Sequence, residues 1–331
     1  MADVAFPLFA RTNRCRKEVR SGVTYSIVAR DPETGCFGVA VQSHFFAAAS
    51  VASFAEAGVG AIATQAFASR QYGALGMDML RAGLSAPLVL DALLRLDPGR
   101  DVRQVGIVDA SGQVASFTGK RCVVFAEHRL RDGAAAQGNM LAAPGIPDAM
   151  LAAYQGSGDD FAGRLLAALD AAEAAGGDAR GRQSAGLLIV GTDRTPQPWH
   201  AILHDERVDD HDTPLVELRR LAALRRAYRN IGGILFDEGP LFTPVAETKP
   251  ADLDLALAAL RESRLAGGEA LQEASLWEAV LLARFGRMEE AAARAPALFA
   301  RQPKLATFIS GLGKVGFLPP EAAATLLAAG R

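Results

Sequence analysis

The stretch VTYSIVA at residues 23–29 decides the fold, together with the turn DPETG at 31–35 and the run CFGVAVQS at 36–43. Both runs are mainly apolar. The proline of the turn presets φ, and the glycine at its end accepts the positive φ that closes it. This pattern predicts a β-hairpin whose first strand begins at Thr24.

A threonine can act as a nucleophile when it is the first residue of a chain. Its hydroxyl then lies beside a free α-amine with a reference pKa of about 7.7 to 8.0, so the amine can accept the hydroxyl proton and return it to a leaving amine. An internal Thr24 has an amide there, which cannot do this, and is then only a β-branched strand residue. The function therefore depends on whether the Val23–Thr24 bond exists in the mature protein.

Residues 1–22 show neither helical nor strand periodicity, and we expect a poorly ordered tail. An apolar patch precedes a basic segment, which reverses the order of a secretory signal, so we expect a cytoplasmic protein. Three origins of the tail stay open: a pro-segment removed before Thr24, a translation start placed upstream of the true one, and a tail that the mature protein keeps.

Length and charge narrow the classes of function. The 331 residues are 50% hydrophobic, enough for one large domain and a smaller one. A net charge of -2 gives no reason to expect nucleic acid or an anionic membrane as partner, and no apolar run approaches the roughly 20 residues of a spanning helix. The cysteines Cys15, Cys36 and Cys122 are odd in number and widely spaced, which favours free thiols in a reducing compartment.

Strands and helices are predicted in separate blocks. After the first hairpin we expect, in order, strands at 51–55 and 59–65, helices at 71–82 and 85–96, a hairpin at 104–118, a strand-like segment at 121–126, a loop at 137–139, helices near 145–155 and 159–174, strands at 187–190 and 199–203, and a helix at 214–230. Such blocks predict an α+β fold, in which two stacked antiparallel sheets lie between two helical layers as a four-layer αββα sandwich.

The composition shifts near residue 240. We expect the main domain at 23–232, a proline-containing linker at 233–250 and a helical region at 251–331. Within that region, predicted helices at 275–285 and 287–301 with a glycine turn between them resemble one tetratricopeptide unit. One unit cannot bury its own face, so we expect it to dock on the main domain or on a second subunit, and we expect a homo-oligomer.

Six separated motifs resemble the domain of unknown function 1028 family and occur in its order: TYSIVARD (24–31), GVAVQSH (38–44), GVGAIATQ (58–65), RQVG (103–106), QGN (137–139) and GGDARGRQSA (176–185). The resemblance covers about residues 23–230. It implies the grouping of N-terminal-nucleophile hydrolases, with a four-layer αββα fold and, in active members, hydrolysis of amide bonds. Family members typically begin with Met directly before this threonine, whereas residues 1–22 are extra here.

Thr24 is the predicted nucleophile and base. Antiparallel pairing brings it to the end of the hairpin near residues 42–44, where Ser43 and His44 point to opposite faces. Ser43 could relay a proton or hold the amine, and His44 could supply a group that titrates near neutral pH; contact with water is the alternative for both. Asn139 could aim donors at a developing oxyanion, or could simply form a turn after Gly138.

Four further residues are predicted to bind a small-molecule substrate. Thr64 and Gln65 end the strand predicted at 59–65. Asp178 and Arg180 lie in a glycine-rich loop and could recognise ammonium and carboxylate groups. These two could equally pair with each other and brace the loop.

No cofactor or metal is expected. The segment GLGKVG at 311–316 matches a dinucleotide-binding pattern but runs into prolines instead of opening a crossover helix. His200 and His204 flank a predicted strand, where four residues span about 13 Å, too far for one zinc ion. The acidic loop at 209–212 could hold a divalent cation, or could cap the helix that follows.

Two hypotheses follow. In the first, the protein hydrolyses a small amide or peptide-like substrate with Thr24 as nucleophile, helped by Ser43, His44 and Asn139. In the second, it is a non-catalytic αββα module that binds a small molecule in the equivalent cleft, with the helical region mediating assembly.

Overall fold

A computed structural model describes residues 24–123, 125–235, 239–267 and 271–330. The predicted tail at 1–22 and the Val23–Thr24 bond lie outside the described residues. The strands are β1 (Thr24–Arg30), β2 (Phe37–Ser43), β3 (Ser53–Glu56), β4 (Gly60–Ala66), β5 (Arg103–Asp109), β6 (Val114–Thr118), β7 (Glu127–Arg131), β8 (Ala134–Asn139), β9 (Ser184–Val190) and β10 (Ile202–Val208). The helices up to residue 235 are α1 (Ala49–Ala52), α2 (Arg70–Arg81), α3 (Ala86–Leu96), α4 (Ile146–Gly156), α5 (Phe161–Ala174) and α6 (Pro214–Leu235).

The strands form two antiparallel sheets. The six-stranded sheet has the order β10-β9-β2-β1-β8-β7, and the four-stranded sheet has the order β3-β4-β5-β6. The first hairpin is confirmed: Asp31 accepts a hydrogen bond from the Thr34 N–H at its carboxylate, and Gly35 adopts a φ of 75°. β1 lies inside its sheet, paired with β2 on one side and β8 on the other.

Apolar side chains cover both faces of the sheets. Between the sheets, Val28 and Val39 of the six-stranded sheet share a cluster with Ala61 and Val108 of the four-stranded sheet. On the outer face of the four-stranded sheet, the buried residues of α2 and α3 pack against strand residues such as Ile62. Residues 24–208 therefore form a mixed α+β fold with antiparallel sheets, which confirms the predicted fold class.

The far side of the six-stranded sheet packs against α5. The Tyr25 hydroxyl of β1 donates to Glu173 Oε2 of α5 at 2.8 Å. A Cβ at Gly38 of β2 would lie 2.5 Å from Leu165 Cδ1, so a larger residue there would force the Leu165 side chain to move.

Three predictions of local structure are wrong. The segment predicted as strand at 121–126 contains no strand among its described residues, and the next strand is β7. Residues 137–139 are not a loop, because they form the end of β8. The strand predicted at 199–203 is displaced, because residues 198–201 form a 3-10 turn and β10 runs from Ile202 to Val208. In β8 the run of small residues at 134–136 is buried on both faces, so the alternation that reveals a half-exposed strand is missing.

The chain divides into two compact units, with the boundary between Leu218 and Arg219. The second unit is helical, as predicted. Beyond α6 its helices are α7 (Pro250–Gly267), α8 (Gln272–Arg284), α9 (Met288–Ala292), α10 (Ala295–Arg301), α11 (Leu305–Lys314) and α12 (Pro320–Ala329).

The second unit has its own core. Trp277 of α8 packs edge-on against Phe308 of α11, with ring centroids 5.8 Å apart. The carboxylate of Glu278, 1% exposed, pairs with Arg261 at 2.9 Å and with Arg294 at 2.7 Å.

The single helix predicted at 287–301 is wrong, because the structure has α9 and α10 there. Pro296 stands in the first turn of α10, where a missing N–H costs nothing, and it would break a continuous helix. Among the helices of the described ranges, none is long and apolar enough to cross a membrane.

Candidate active site

Three strand ends meet at one end of the six-stranded sheet. Thr24 begins β1 and lies directly opposite Ser43, the last residue of β2, and Asn139, the last residue of β8. The predicted register, with Thr24 near residues 42–44, is confirmed. Paired residues point to the same face of a sheet, so all three side chains enter the gap between the sheets.

The hydroxyls of Thr24 and Ser43 are hydrogen-bonded to each other. Thr24 Oγ1 and Ser43 Oγ are 3.0 Å apart, and both side chains are buried. Sequence reasoning allowed only one of Ser43 and His44 to face the threonine. The structure places Ser43 there.

Four buried amide side chains surround the start of β1, and we name them the amide cluster: Gln65, Gln104, Gln137 and Asn139. Gln65 and Gln104 come from the four-stranded sheet, and the other two come from β8. The Thr24 carbonyl oxygen accepts from Gln65 Nε2 at 3.0 Å and from Asn139 Nδ2 at 3.3 Å. The amide cluster therefore fixes the backbone of Thr24 from both sheets.

Gln104 lies at the centre of the amide cluster. Its Oε1 accepts from Gln65 Nε2 at 2.8 Å and from Asn139 Nδ2 at 3.0 Å. Its Nε2 lies 2.8 Å from the Gly138 carbonyl oxygen and 2.8 Å from Thr118 Oγ1. Both hydrogens of the Asn139 amide are thus directed at protein acceptors, Thr24 and Gln104, rather than at open space.

Thr118 extends this network to the edge of both sheets. Its Oγ1 lies 2.9 Å from Nδ1 of His128 on β7. Because Gln104 donates to Thr118, the Thr118 hydroxyl can donate to His128 when Nδ1 carries no proton. Burial, reinforced by the positive charge of Arg129, lowers the pKa of His128.

A second branch of the network joins Ser26 to the amide cluster. Ser26 Oγ donates to Gln65 Oε1 at 2.6 Å and accepts from Gln137 Nε2 at 2.7 Å. A Cβ at Gly106 would lie 2.3 Å from Gln137 Oε1, so a larger residue there would displace the Gln137 amide from this network. Sequence reasoning missed Ser26, Gln104 and Gln137; the available signal was polar residues inside otherwise apolar strands.

The glycine-rich loop at 176–185 lies beside the end of β2. The Asp178 carboxylate accepts the His44 N–H at 2.8 Å and the Arg180 N–H at 2.8 Å, and lies 3.4 Å from the Arg180 guanidinium. Burial raises the pKa of Asp178, although these three donors favour its charged form. His44 Nδ1 lies 3.4 Å from the Arg182 carbonyl oxygen. Asp178 and Arg180 are thus paired, and His44 contacts this loop.

Thr64 and Gln65 point to opposite faces of β4. Gln65 belongs to the amide cluster, whereas Thr64 Oγ1 donates to the Ser69 carbonyl oxygen at 3.4 Å, just before α2. The structure therefore brings Gln65 to Thr24 and directs Thr64 toward the loop that leads to α2.

Comparison with known proteins gives a family. The family of unknown function DUF1028 matches residues 24–218. The chain belongs to the DUF1028 family. A crystal structure of protein SPO2555 from Silicibacter pomeroyi, described as DUF1028, is similar to this chain at 32% identity and a TM-score of 0.54, covering 60% of this chain and 87% of the other. No curated protein matches the chain.

The DUF1028 region carries backbone strain beside its strand ends. Ala66 follows Gln65 with a φ of 66°, Met140 follows Asn139 with a φ of 51°, and Ala47 lies four residues after Ser43 with a φ of 53°. Non-glycine residues adopt this left-handed conformation rarely, and such strain concentrates at functional sites. These three positions lie at or just after the ends of strands that supply residues around Thr24.

In the described parts of the DUF1028 chain, no three His, Cys, Asp or Glu side chains are placed to hold a metal ion. In the acidic loop at 209–212, Asp210 accepts from Gln183 Nε2 at 3.0 Å, and His211 Nδ1 accepts from the Thr213 N–H at 2.9 Å. This second contact lies directly before α6.

Proposed function

We propose that the chain is an amide hydrolase that uses Thr24 as an N-terminal nucleophile, on a four-layer αββα sandwich. The observation that carries the proposal is the position of Thr24. It starts an interior strand, projects into the gap between the sheets, and has a hydroxyl partner in Ser43 at 3.0 Å. Helical packing against the outer faces of both sheets supports the four-layer arrangement.

The reaction requires a free α-amine at Thr24. This amine takes the Oγ1 proton as Oγ1 attacks the substrate carbonyl carbon, and then gives a proton to the departing amine as the C–N bond breaks. The resulting ester on Thr24 is hydrolysed when water attacks it and Oγ1 recovers a proton. Ser43 orients Oγ1 throughout by its hydrogen bond.

Gln65 and Asn139 act as positioning residues in this proposal. Both donate to the Thr24 carbonyl oxygen, so they hold the nucleophile without contacting the reacting atoms. The loop that carries Asp178 and Arg180, together with His44, supplies charged and polar groups next to the end of β2 for a small amide or peptide-like substrate.

One observation favours a second candidate, a non-catalytic module that binds a small molecule. The Asn139 amide hydrogens are already used within the protein, so this side chain offers no donor to an oxyanion unless the network rearranges. In either case we propose a cytoplasmic protein that assembles as a homo-oligomer through its helical unit, whose sequence at 275–301 resembles one tetratricopeptide unit.

Intact-mass spectrometry of the natively produced protein tests the first candidate. We expect a mature chain that begins at Thr24 and that gains one acyl adduct from a β-lactone, a strained ester that acylates hydroxyl nucleophiles. The adduct should map to Thr24, persist in Thr24→Ser and vanish in Thr24→Ala, while the control Thr192→Ala, at an exposed threonine, keeps it. A mature chain that retains residues before Thr24 and forms no adduct would favour the binding module.

A further inference from the structure

Arg30 ends β1, about 20 Å from Thr24 at the opposite end of the same strand. Alternation places its side chain on the face of Ser26 and Val28, which is the face toward the gap between the sheets. The Arg30 guanidinium carbon lies 5.9 Å from the centre of the Phe37 ring, the residue opposite Arg30 on β2. The side chain therefore leaves the interior at the turn end of the sandwich.

This guanidinium has an unmatched donor. Arg30 Nε is buried and has no hydrogen-bond partner in the part of the chain that the structure describes. An arginine keeps its positive charge at physiological pH, and a buried donor on a cation is costly when nothing accepts from it. An anion could accept from this N–H once the side chain turns toward the cavity that it lines.

Two acids at this end of the sandwich are engaged elsewhere, whereas Asp132 lines the same cavity as Arg30. Asp31 Oδ1 pairs with Arg164 at 3.0 Å, and its Oδ2 accepts from the Thr34 hydroxyl at 2.6 Å. Asp109 accepts from the Ala86 N–H at one oxygen and from the Ser111 N–H at the other. Neither carboxylate is available to balance the charge of Arg30.

Arg30 also lines an open surface cavity of about 520 Å³ between the turns at this end of the sandwich. The cavity contains a second cation, Arg131, against a single acid, Asp132. Its apolar lining comes from Pro32, Pro87 and Val114. A volume of this size suits a small organic molecule better than a bare ion.

We propose that this cavity binds a small organic oxyanion, with its phosphate or carboxylate on Arg30 and its apolar part against Pro32, Pro87 and Val114. The guanidinium presents two parallel N–H groups that match two oxygens of such an anion. Arg131 adds charge at the rim. This site is separate from Thr24 and does not depend on the proposed hydrolysis.

Calorimetric titration of the full chain at constant ionic strength in chloride tests the proposal, with inorganic phosphate, acetate and phenyl phosphate as probes. We expect phosphate or acetate to bind, and phenyl phosphate to bind more tightly than inorganic phosphate. Arg30→Gln loses one charge-assisted contact, so its dissociation constant should be about tenfold higher than that of the wild type. Whether phosphate or acetate binds identifies the anionic group.

The control is Arg95→Gln, because Arg95 is 78% exposed on α3 and pairs with Asp91. It should bind like the wild type. If Arg30→Gln does not fold, Arg131→Gln and Arg131→Glu carry the test, with progressive loss of binding. The proposal fails if no probe binds beyond chloride, or if these variants bind as the wild type does; equal affinity for phosphate and phenyl phosphate would overturn the apolar contact.

Discussion

Replacing Gln104 by methionine should destabilise the first unit strongly. Methionine has a similar shape but cannot accept the hydrogen bonds that Gln65 and Asn139 give to Gln104 Oε1. Each buried donor left without that acceptor costs about 1–3 kcal/mol, so the expected loss is about 2–6 kcal/mol. Because a domain has only about 5–15 kcal/mol of net stability, the change should be easily measured.

Urea unfolding followed by hydrogen exchange of peptides from β1 and β8 measures this loss in the first unit alone. The matched control is Gln71→Met, because Gln71 is exposed on α2 and should change stability little. A loss below about 1 kcal/mol in Gln104→Met would refute the reasoning, since it would mean that Gln65 and Asn139 find other acceptors at no cost.

Two further predictions concern charged groups. Burial holds the pKa of His128 below its ordinary value, so the stability linked to neutral His128 is present above about pH 6.5 and is lost as the pH falls. His128→Gln should therefore lose less stability than the wild type between pH 7.5 and 5.0. Urea unfolding of both proteins at each pH measures this, and an equal loss in the two would contradict the prediction. Glu278→Gln should lower the free energy of unfolding of the second unit by about 3 kcal/mol. This is the low end of the range for a broken buried ion pair, because Arg261 is 45% exposed. Hydrogen exchange of α8 peptides measures this cost, and Glu290→Gln, in an exposed pair with Arg287, should change little.

The first hairpin could be predicted from sequence because its signals are local. The turn at 31–35 carries its own proline and glycine, and the register from that turn brings Thr24 to Ser43. The break between α9 and α10 could also have been predicted from the sequence, because Pro296 marks it. Residues 137–139 were predicted as a loop because the buried alanines at 134–136 hide the two-residue alternation of a strand.

The amide cluster could not be predicted. Gln65, Gln104 and Gln137 lie far apart in the chain, and each looks like an isolated polar residue within an apolar strand. Their hydrogen bonds arise only when two sheets stack in one register. A local reading of sequence contains no information on that register between separate sheets.

The pairing of β1 on both sides has a consequence for any chain that begins at Thr24. A new terminus normally frays, because its first residues lose few contacts when they leave the surface. Here the first residue lies opposite Ser43 and Asn139, and two side-chain amides hold its carbonyl oxygen. Thr24 would thus lose almost no conformational entropy when a substrate arrives, since the sheet has already restricted it.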